Sequence, residues 1–243
     1  MMKVVAIVPA AGLGVRMAGG RSAQGTAPPK QLLELEGVPI LFWTLRKLAA
    51  VRRIGQLIVA VRGGDRETVA SRLAGEDYRK RVSLVEGGES RQESVAHALG
   101  QIPPATELVL VHDAVRPFAE PALIEKVIET AAETGATIPG LPAGDTVKQV
   151  EPAGAHHGSR IVTTIPRERV VLAQTPQVFR ADWLREAFER AAADGFRGSD
   201  EAVLVERLGH TVTVVMGSDR NIKITKPSDL ELARFLLAQE AGR

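Results

Sequence analysis

Cysteine is missing from the 243-residue chain, which excludes disulfide frameworks, zinc ribbons, iron–sulfur clusters and thiol nucleophiles. Aromatic residues make up only 4%, so few platforms exist on which single-stranded bases could stack. An excess of charge of one sign is lacking too. The 31 Lys and Arg stand against 29 Asp and Glu, a balance too even to mark a polyanion binder. No run of about 18 apolar residues occurs, so no membrane-spanning helix is expected. Lys3 followed by Val4 to Val15 imitates a short secretory signal, but Pro9, Gly12 and Gly14 interrupt it. A buried strand and its loop fit that stretch better, and the expected setting is a reducing cytoplasm.

What the sequence does have is alternation. Val4 to Val8, Leu57 to Val61, Val82 to Val85 and Leu108 to Val111 are short apolar runs suited to strands buried on both faces of a parallel sheet. Between them Leu41, Leu45 and Leu48, and later Ile124, Val127 and Ile128, recur at helical spacing. The pattern predicts βαβ units wound into an α/β sheet with helices on both faces. Ser228 and Glu231, after Pro227, read as a capping box that opens a C-terminal helix.

One segment breaks the rhythm. Thr146 to Val150 and Arg160 to Ile165 alternate in polarity around a Pro/Gly turn containing His156 and His157. Such a hairpin is marginal alone. Either it lies on the surface of its own domain, or it projects as an arm that pairs with a second copy in a C₂ dimer. No internal repeat or linker is visible, so residues 1–243 read as one domain with an arm.

The strongest local signal follows the first strand, in Pro9-Ala10-Ala11-Gly12-Leu13-Gly14-Val15-Arg16-Met17. Small residues let backbone approach a phosphate or base, and free amides attract anions. Met17 replaces the third glycine of a dinucleotide fingerprint, and no P-loop pattern occurs. A plain strand-to-helix turn explains the same letters. Arg16, and Lys30 beyond the Gly/Ala/Ser/Pro-rich stretch Ala18 to Pro29, would bracket an anion if the loop folds over it.

His112-Asp113-Ala114-Val115-Arg116-Pro117 follows the strand Leu108 to Val111, at the strand end where open α/β sheets bind ligands. Asp113 suits a divalent metal or a sugar hydroxyl and Arg116 a phosphate. A helix cap with a local ion pair is the alternative. His112 reads as a packing or hydrogen-bonding residue. Gly87-Gly88-Glu89-Ser90-Arg91-Gln92-Glu93-Ser94 opens another helix, where it serves either to read a base edge or as an ordinary turn and N-cap. Asn221 to Thr225 is strand-like and adds Lys223. The histidines show no HExxH spacing, and no G-x-S-x-G elbow occurs. Cations and glycine amides with few bases suit phosphoryl chemistry by an already ionised nucleophile.

Taken in order, Pro9-Ala10-Ala11-Gly12-x-Gly14-x-Arg16-Met17, Pro29-Lys30-Gln31, Gly87-Gly88-x-x-Arg91-x-x-Ser94-Val95, His112-Asp113-Ala114-x-Arg116-Pro117, Asp145-Thr146-x-Lys148, Thr175-Pro176-Gln177, Asp200-Glu201-Ala202 and Asn221-Ile222-Lys223 run through the whole chain. The set closely resembles the 2-C-methyl-D-erythritol 4-phosphate cytidylyltransferase family. The resemblance implies a Rossmann-like, mainly parallel α/β sheet of the nucleotide-diphospho-sugar transferase type, with a β-arm for dimerisation at about 138–165. It implies transfer of CMP from CTP to 2-C-methyl-D-erythritol 4-phosphate in the non-mevalonate isoprenoid pathway, with Mg²⁺ on the triphosphate. Arg16 and Lys30 match the family's transition-state cations, and Arg167 and Lys223 match those that position the attacking phosphate. Arg167 is expected to reach the partner subunit's site. Ala10, Ala11, Gly12, Gly14, Gly88, Glu89 and Ser94 match nucleotide-lining positions, and Asp113, Arg116, Thr146 and Thr175 match the sugar-phosphate region. Glu89 stands where some relatives have Asp, and the stretch from Ala18 to Pro29 is longer than the family pattern.

A phosphate monoester carries close to two negative charges at neutral pH, so this chemistry needs no general base. It needs fixed positive charge against the repulsion of two anions. The competing expectations are a cytidylyltransferase for another polyol phosphate, such as ribitol 5-phosphate, and a catalytically degenerate nucleotide-binding module. Neither nucleic acid nor membrane is an expected partner, and no fused second domain is expected at this length.

Overall fold

Val4 to Pro9 form the first strand, β1. Val4, Ala6 and Val8 enter one apolar cluster and Val5 and Ile7 another. A strand buried on both faces needs an apolar residue at nearly every position, which is why this run shows no alternation. The computed structural model describes residues 3–12, 29–151 and 158–241.

A small hairpin of β2 (Glu34–Leu35) and β3 (Val38–Pro39) precedes α1 (Ile40–Ala50) and β4 (Ile54–Val61). The chain continues through α2 (Arg66–Leu73), β5 (Arg81–Glu86), α3 (Arg91–Leu99), β6 (Leu108–Val111), α4 (Pro121–Thr134) and β7 (Ala136–Pro142). Four strands follow: β8 (Val147–Glu151), β9 (Arg160–Ile165), β10 (Val171–Ala173) and β11 (Gln177–Arg180). Then come α5 (Ala181–Ala193), α6 (Glu201–Glu206), β12 (Thr213–Met216) and α7 (Pro227–Ala241).

The central sheet has the order β10-β7-β11-β6-β1-β4-β5, with β12 paired to β7. Neighbours β5, β4, β1 and β6 are parallel, and β12 is parallel to β7. The strands β11 and β10 run against their neighbours. The sheet is therefore mixed and mainly parallel, as the alternation predicts. Leu41, Phe42 and Leu45 of α1 and Ile124, Val127 and Ile128 of α4 cover one face. Val95 of α3, Leu184 and Phe188 of α5 and Val205 of α6 cover the other. A smaller cluster seats Ala233, Leu236 and Leu237 of α7 against Leu35, Val115, Phe118 and Ile224.

The turn from α4 into β7 illustrates how tightly these layers meet. Gly135 has φ +91°, and a Cβ there would stand 2.4 Å from the Trp183 ring. Both the left-handed backbone and the ring call for glycine. Because the parallel strands share a direction, the segments after β1, β5 and β6 emerge at one edge.

Three expectations are corrected. The arm does not begin near residue 138, because Ala136 to Pro142 pair with β10, β11 and β12 in the central sheet. Its buried residues fill the interior face, and only β8 and β9 form the separate two-stranded sheet. Asn221 to Thr225 is not a strand. The Ile224 amide donates to Val115 O at 3.0 Å and the Asn221 amide to Ser218 O at 3.0 Å, so the segment is tied to loops rather than to a sheet edge. The last helix begins at Pro227, which puts Ser228 inside its first turn. There Asp229, not Ser228, accepts the amides of Thr225 and Lys226 at 2.8 and 3.0 Å. Gly14, Arg16 and the rest of the turn to Met17, together with His156 and His157, lie outside the described residues.

Candidate active site

At the shared strand edge the ends of β1, β5 and β6 enclose a cavity of about 310 Å³. Ala10, Ala11, Gly12, Lys30, Gly88, Glu89, Ser94, Asp113 and Lys223 line it together. Its shape follows from local hydrogen bonding. The amides of Ala10 and Gly87 donate to Ala60 O and Val61 O, at 2.7 and 2.8 Å, which carries the sheet pairing one residue past the strands. Ser90 caps α3 through a reciprocal box with Glu93, accepting the Glu93 amide at 3.1 Å. The Ser94 hydroxyl accepts the Gly88 amide at 3.1 Å and donates to Ser90 O at 2.9 Å, folding the glycine loop back on the helix. Gln31, buried in the 3₁₀ turn Lys30–Leu32, donates to Ala10 O at 2.5 Å and to Gly12 O at 3.2 Å. That pair of bonds places the segment carrying Lys30 beside the loop after β1.

On the far side of Asp113 a second cavity of about 160 Å³ is lined by Arg116, Gln174, Thr175 and Asp200, and shares Arg91, Asp113 and Lys223 with the first. Asp113 is the hinge between them. Its Oδ1 accepts Arg91 Nε at 3.1 Å, its Oδ2 accepts Lys223 Nζ at 2.8 Å, and Arg116 Nε lies 3.5 Å from Oδ2. Burial alone would raise its pKa, but Arg91, Lys223 and Arg116 hold the carboxyl well below the usual carboxylate range. Arg91 also donates from Nη1 to Glu201 Oε1 at 2.6 Å. Arg116 is itself buried and donates to Asn221 O at 2.6 Å.

Beneath the hinge runs a directional chain. The Asp113 amide donates to Thr175 Oγ1 at 3.0 Å, and Thr175 Oγ1 lies 3.0 Å from His112 Nδ1. His112 Nε2 lies 3.1 Å from Arg116 O. A carbonyl only accepts, so Nε2 carries the proton and Nδ1 accepts the threonine hydroxyl. Burial pushes the His112 pKa down to about 4, which keeps the ring neutral in this arrangement. His112 is thus the hydrogen-bonding residue expected from sequence, and Thr175 supports the Asp113 loop as well as lining the second cavity.

Thr146 and Arg167 are not brought to either cavity within one chain. Both are exposed, Thr146 at the base of the β8–β9 arm and Arg167 just past it, where its Nη1 donates to Gly144 O at 3.0 Å. Among the residues that escaped the sequence reading as functional are Gln31 and Arg91, which line the cavities, and Glu201, which pairs with Arg91 behind them. All lie inside the quoted motifs, yet their pairing across long stretches of chain has no local signal. Among the described residues no group of three or more His, Cys, Asp or Glu could hold a metal. Asp113 faces three cations already, so this donor set does not fit a protein-held Mg²⁺.

The sequence profile of the family described as 2-C-methyl-D-erythritol 4-phosphate cytidylyltransferase matches residues 4–239. A protein of that description from Acidobacterium capsulatum is 54% identical over 243 residues, covering 100% of both chains. One from Solibacter usitatus is 53% identical over 242 residues, covering 100% of this chain and 98% of its own. The crystal structure of the protein so described from Thermus thermophilus superposes with a TM-score of 0.74 at 37% identity, covering 98% of this chain and all (100%) of the other. That of 4-diphosphocytidyl-2C-methyl-D-erythritol synthase from Anaerococcus prevotii gives a TM-score of 0.81 at 30% identity, covering 98% and 99%. The chain belongs to the 2-C-methyl-D-erythritol 4-phosphate cytidylyltransferase family.

Proposed function

We propose that this chain, as a single nucleotidyltransferase domain, transfers CMP from CTP to 2-C-methyl-D-erythritol 4-phosphate. The products are 4-diphosphocytidyl-2-C-methyl-D-erythritol and pyrophosphate, a step of the non-mevalonate isoprenoid pathway. The observation that carries this reading is the pair of cavities meeting at Asp113, with Arg91 and Lys223 facing both. One cavity suits a nucleotide, with small residues at Ala10, Ala11, Gly12 and Gly88 and the polar side chains of Glu89 and Ser94. The other, with Arg116, Thr175 and Lys223, suits a polyol phosphate.

An oxygen of the sugar phosphate attacks the α-phosphorus of CTP, and the bond from that phosphorus to the pyrophosphate oxygen breaks. The nucleophile is already ionised, so no proton has to be removed. The chain's task is to hold two anions together. Lys30 stands on the nucleotide side and Lys223 at the seam, and the motif implies Arg16 as a second transition-state cation. Preorganised cations of this kind stabilise charge that concentrates in the transition state. Mg²⁺, bound on the triphosphate, would neutralise part of that charge.

Thr146 and Arg167 complete the site across a dimer in this reading. The arm carries Val150, Ile161 and Val162 in exposed positions, Ile161 at 59%. Apolar side chains left in solvent on this strand pair are accounted for by a second copy. Release of pyrophosphate from CTP with 2-C-methyl-D-erythritol 4-phosphate tests the proposal. Equal or faster release with ribitol 5-phosphate would reassign the substrate, and release with neither would leave a nucleotide-binding module.

A further inference from the structure

Glu201 is a buried carboxylate, 1% exposed, to which the transfer reaction assigns no task. It stands at the first position of α6 and lines neither cavity. One oxygen takes the Arg91 guanidinium, and the other, Oε2, is buried with no hydrogen-bond partner. Burying a carboxylate with an unpaired oxygen costs the fold stability, and an ion pair does not repay that cost well. The residue is better accounted for by what it holds in place.

From Glu201 a continuous chain of charges leads to the seam: Glu201 Oε1 to Arg91 Nη1 at 2.6 Å, Arg91 Nε to Asp113 Oδ1 at 3.1 Å, and Asp113 Oδ2 to Lys223 Nζ at 2.8 Å. A guanidinium is a rigid planar fork and cannot follow one carboxylate without leaving the other. With both partners charged, Arg91 is held between them and Asp113 keeps an oxygen for Lys223. With Glu201 neutralised, Asp113 becomes the sole counter-charge of Arg91 and is drawn toward it, away from Lys223. Burial pushes the Glu201 carboxyl up and Arg91 opposes that shift, so the two groups depend on each other.

We propose that Glu201 is a positioning residue: through Arg91 it fixes Asp113, and through Asp113 it sets where Lys223 presents its ammonium to the attacking phosphate. This inference rests on the cytidylyltransferase reading of the same site.

The test is a double-mutant cycle in the full-length chain, with Glu201→Gln keeping the size and one acceptor oxygen. Misplacement of a group remote from the chemistry predicts that E201Q lowers kcat about 10- to 100-fold with the KM for CTP little changed. In a Lys223→Ala background the same change should alter kcat less than about twofold, because the residue it acts through is gone. A wild-type kcat for E201Q, or an equal loss in both backgrounds, overturns the proposal. Should E201Q fail to fold, Arg91→Lys, which keeps a charge but not the fork, enters the same cycle with the same criteria. A parent chain that releases no pyrophosphate overturns the cytidylyltransferase reading, and the relay is then decided by the crystal structure of E201Q. Lys223 displaced beyond about 4 Å from Asp113 supports it; an unchanged pair overturns it.

Discussion

A Cβ on Gly87 would stand 2.3 Å from the Cβ of Ala11 and 3.0 Å from the Ser94 hydroxyl. The loops after β1 and β5, which bring Ala11 and Gly88 to the larger cavity, therefore meet at a point where only glycine fits. Gly87→Ala has to push the loops apart, which is expected to cost about 1 to 3 kcal/mol of stability. The same displacement moves Ala11 and Gly88 relative to each other, so the KM for CTP should rise more than the KM for the sugar phosphate. Thermal unfolding and steady-state kinetics on the variant measure both. A KM for CTP that does not move would separate these loops from the nucleotide.

Lys30 lines the larger cavity in a segment tied to Ala10 and Gly12 by Gln31. Removing a preorganised cation from a site of phosphoryl transfer typically costs about 3 to 4 kcal/mol of barrier, roughly a hundredfold or more in rate. Lys30→Ala and Arg16→Ala should each lose most turnover while circular dichroism and melting temperature stay near those of the parent. Near-normal rates in both would sink the assignment of these cations to the transition state.

His112 makes stability depend on pH. Its native pKa of about 4 lies below the ordinary 6.5, so between those values the unfolded chain holds a proton that the native chain does not. Stability from this group is complete above pH 6.5 and is lost as pH falls toward 4, with a slope of about 1.4 kcal/mol per pH unit at most. Protonating Nδ1 also removes the acceptor of the Thr175 hydroxyl. Asp113, held low, loses its contribution only below its ordinary value of 3.8. Glu201, raised by burial, acts in the opposite sense: its contribution is complete below 4.5 and is lost as pH rises. The difference between the parent and His112→Gln isolates the histidine. Urea unfolding at pH 7, 6 and 5 should show that the parent loses its margin over the variant steadily; parallel curves would contradict a neutral buried imidazole.

How far these features could be read from letters depended on the range of the forces involved. Strand β6, Leu108–Val111, and strand β9, Arg160–Ile165, begin and end where the apolar and alternating patterns do. The stretch Gly87 to Ser94 reads as the opening of a helix, by an N-cap or as a base reader, and the cap is there at Ser90. Asn221 to Thr225 misled because Ile222 and Ile224 alternate as a strand would, whereas long-range hydrogen bonds to loops decide its course. Arg91 and Glu201 stand 110 residues apart, and no propensity or periodicity connects them. The arm's starting boundary was misplaced because Ile138 to Pro142 carry no charge to exclude them from a hairpin, and only the neighbours β10 and β12 claim them. Thr146 and Arg167 remain away from the cavities of their own chain, and their sequence positions alone gave no sign of that distance.

The proposed sharing of the site between two copies leads to a complementation experiment. Neither Arg167→Ala nor Lys30→Ala alone should retain substantial activity. If Arg167 serves the partner's site, a mixed dimer of the two variants contains one site with Lys30 from one subunit and Arg167 from the other. Random mixing makes half the dimers mixed, and one of two sites in each is intact, so about a quarter of the parental activity should return. If Arg167 served its own chain, every site in every dimer would lack one cation and mixing would restore nothing. The exchange has to pass through separated subunits, so Ile161→Asp in the exposed arm gives the control. A charge at that apolar position should shift sedimentation toward monomer and remove the regained activity along with it. Regain without a dimer, or a dimer without regain, would place Arg167 outside the shared site.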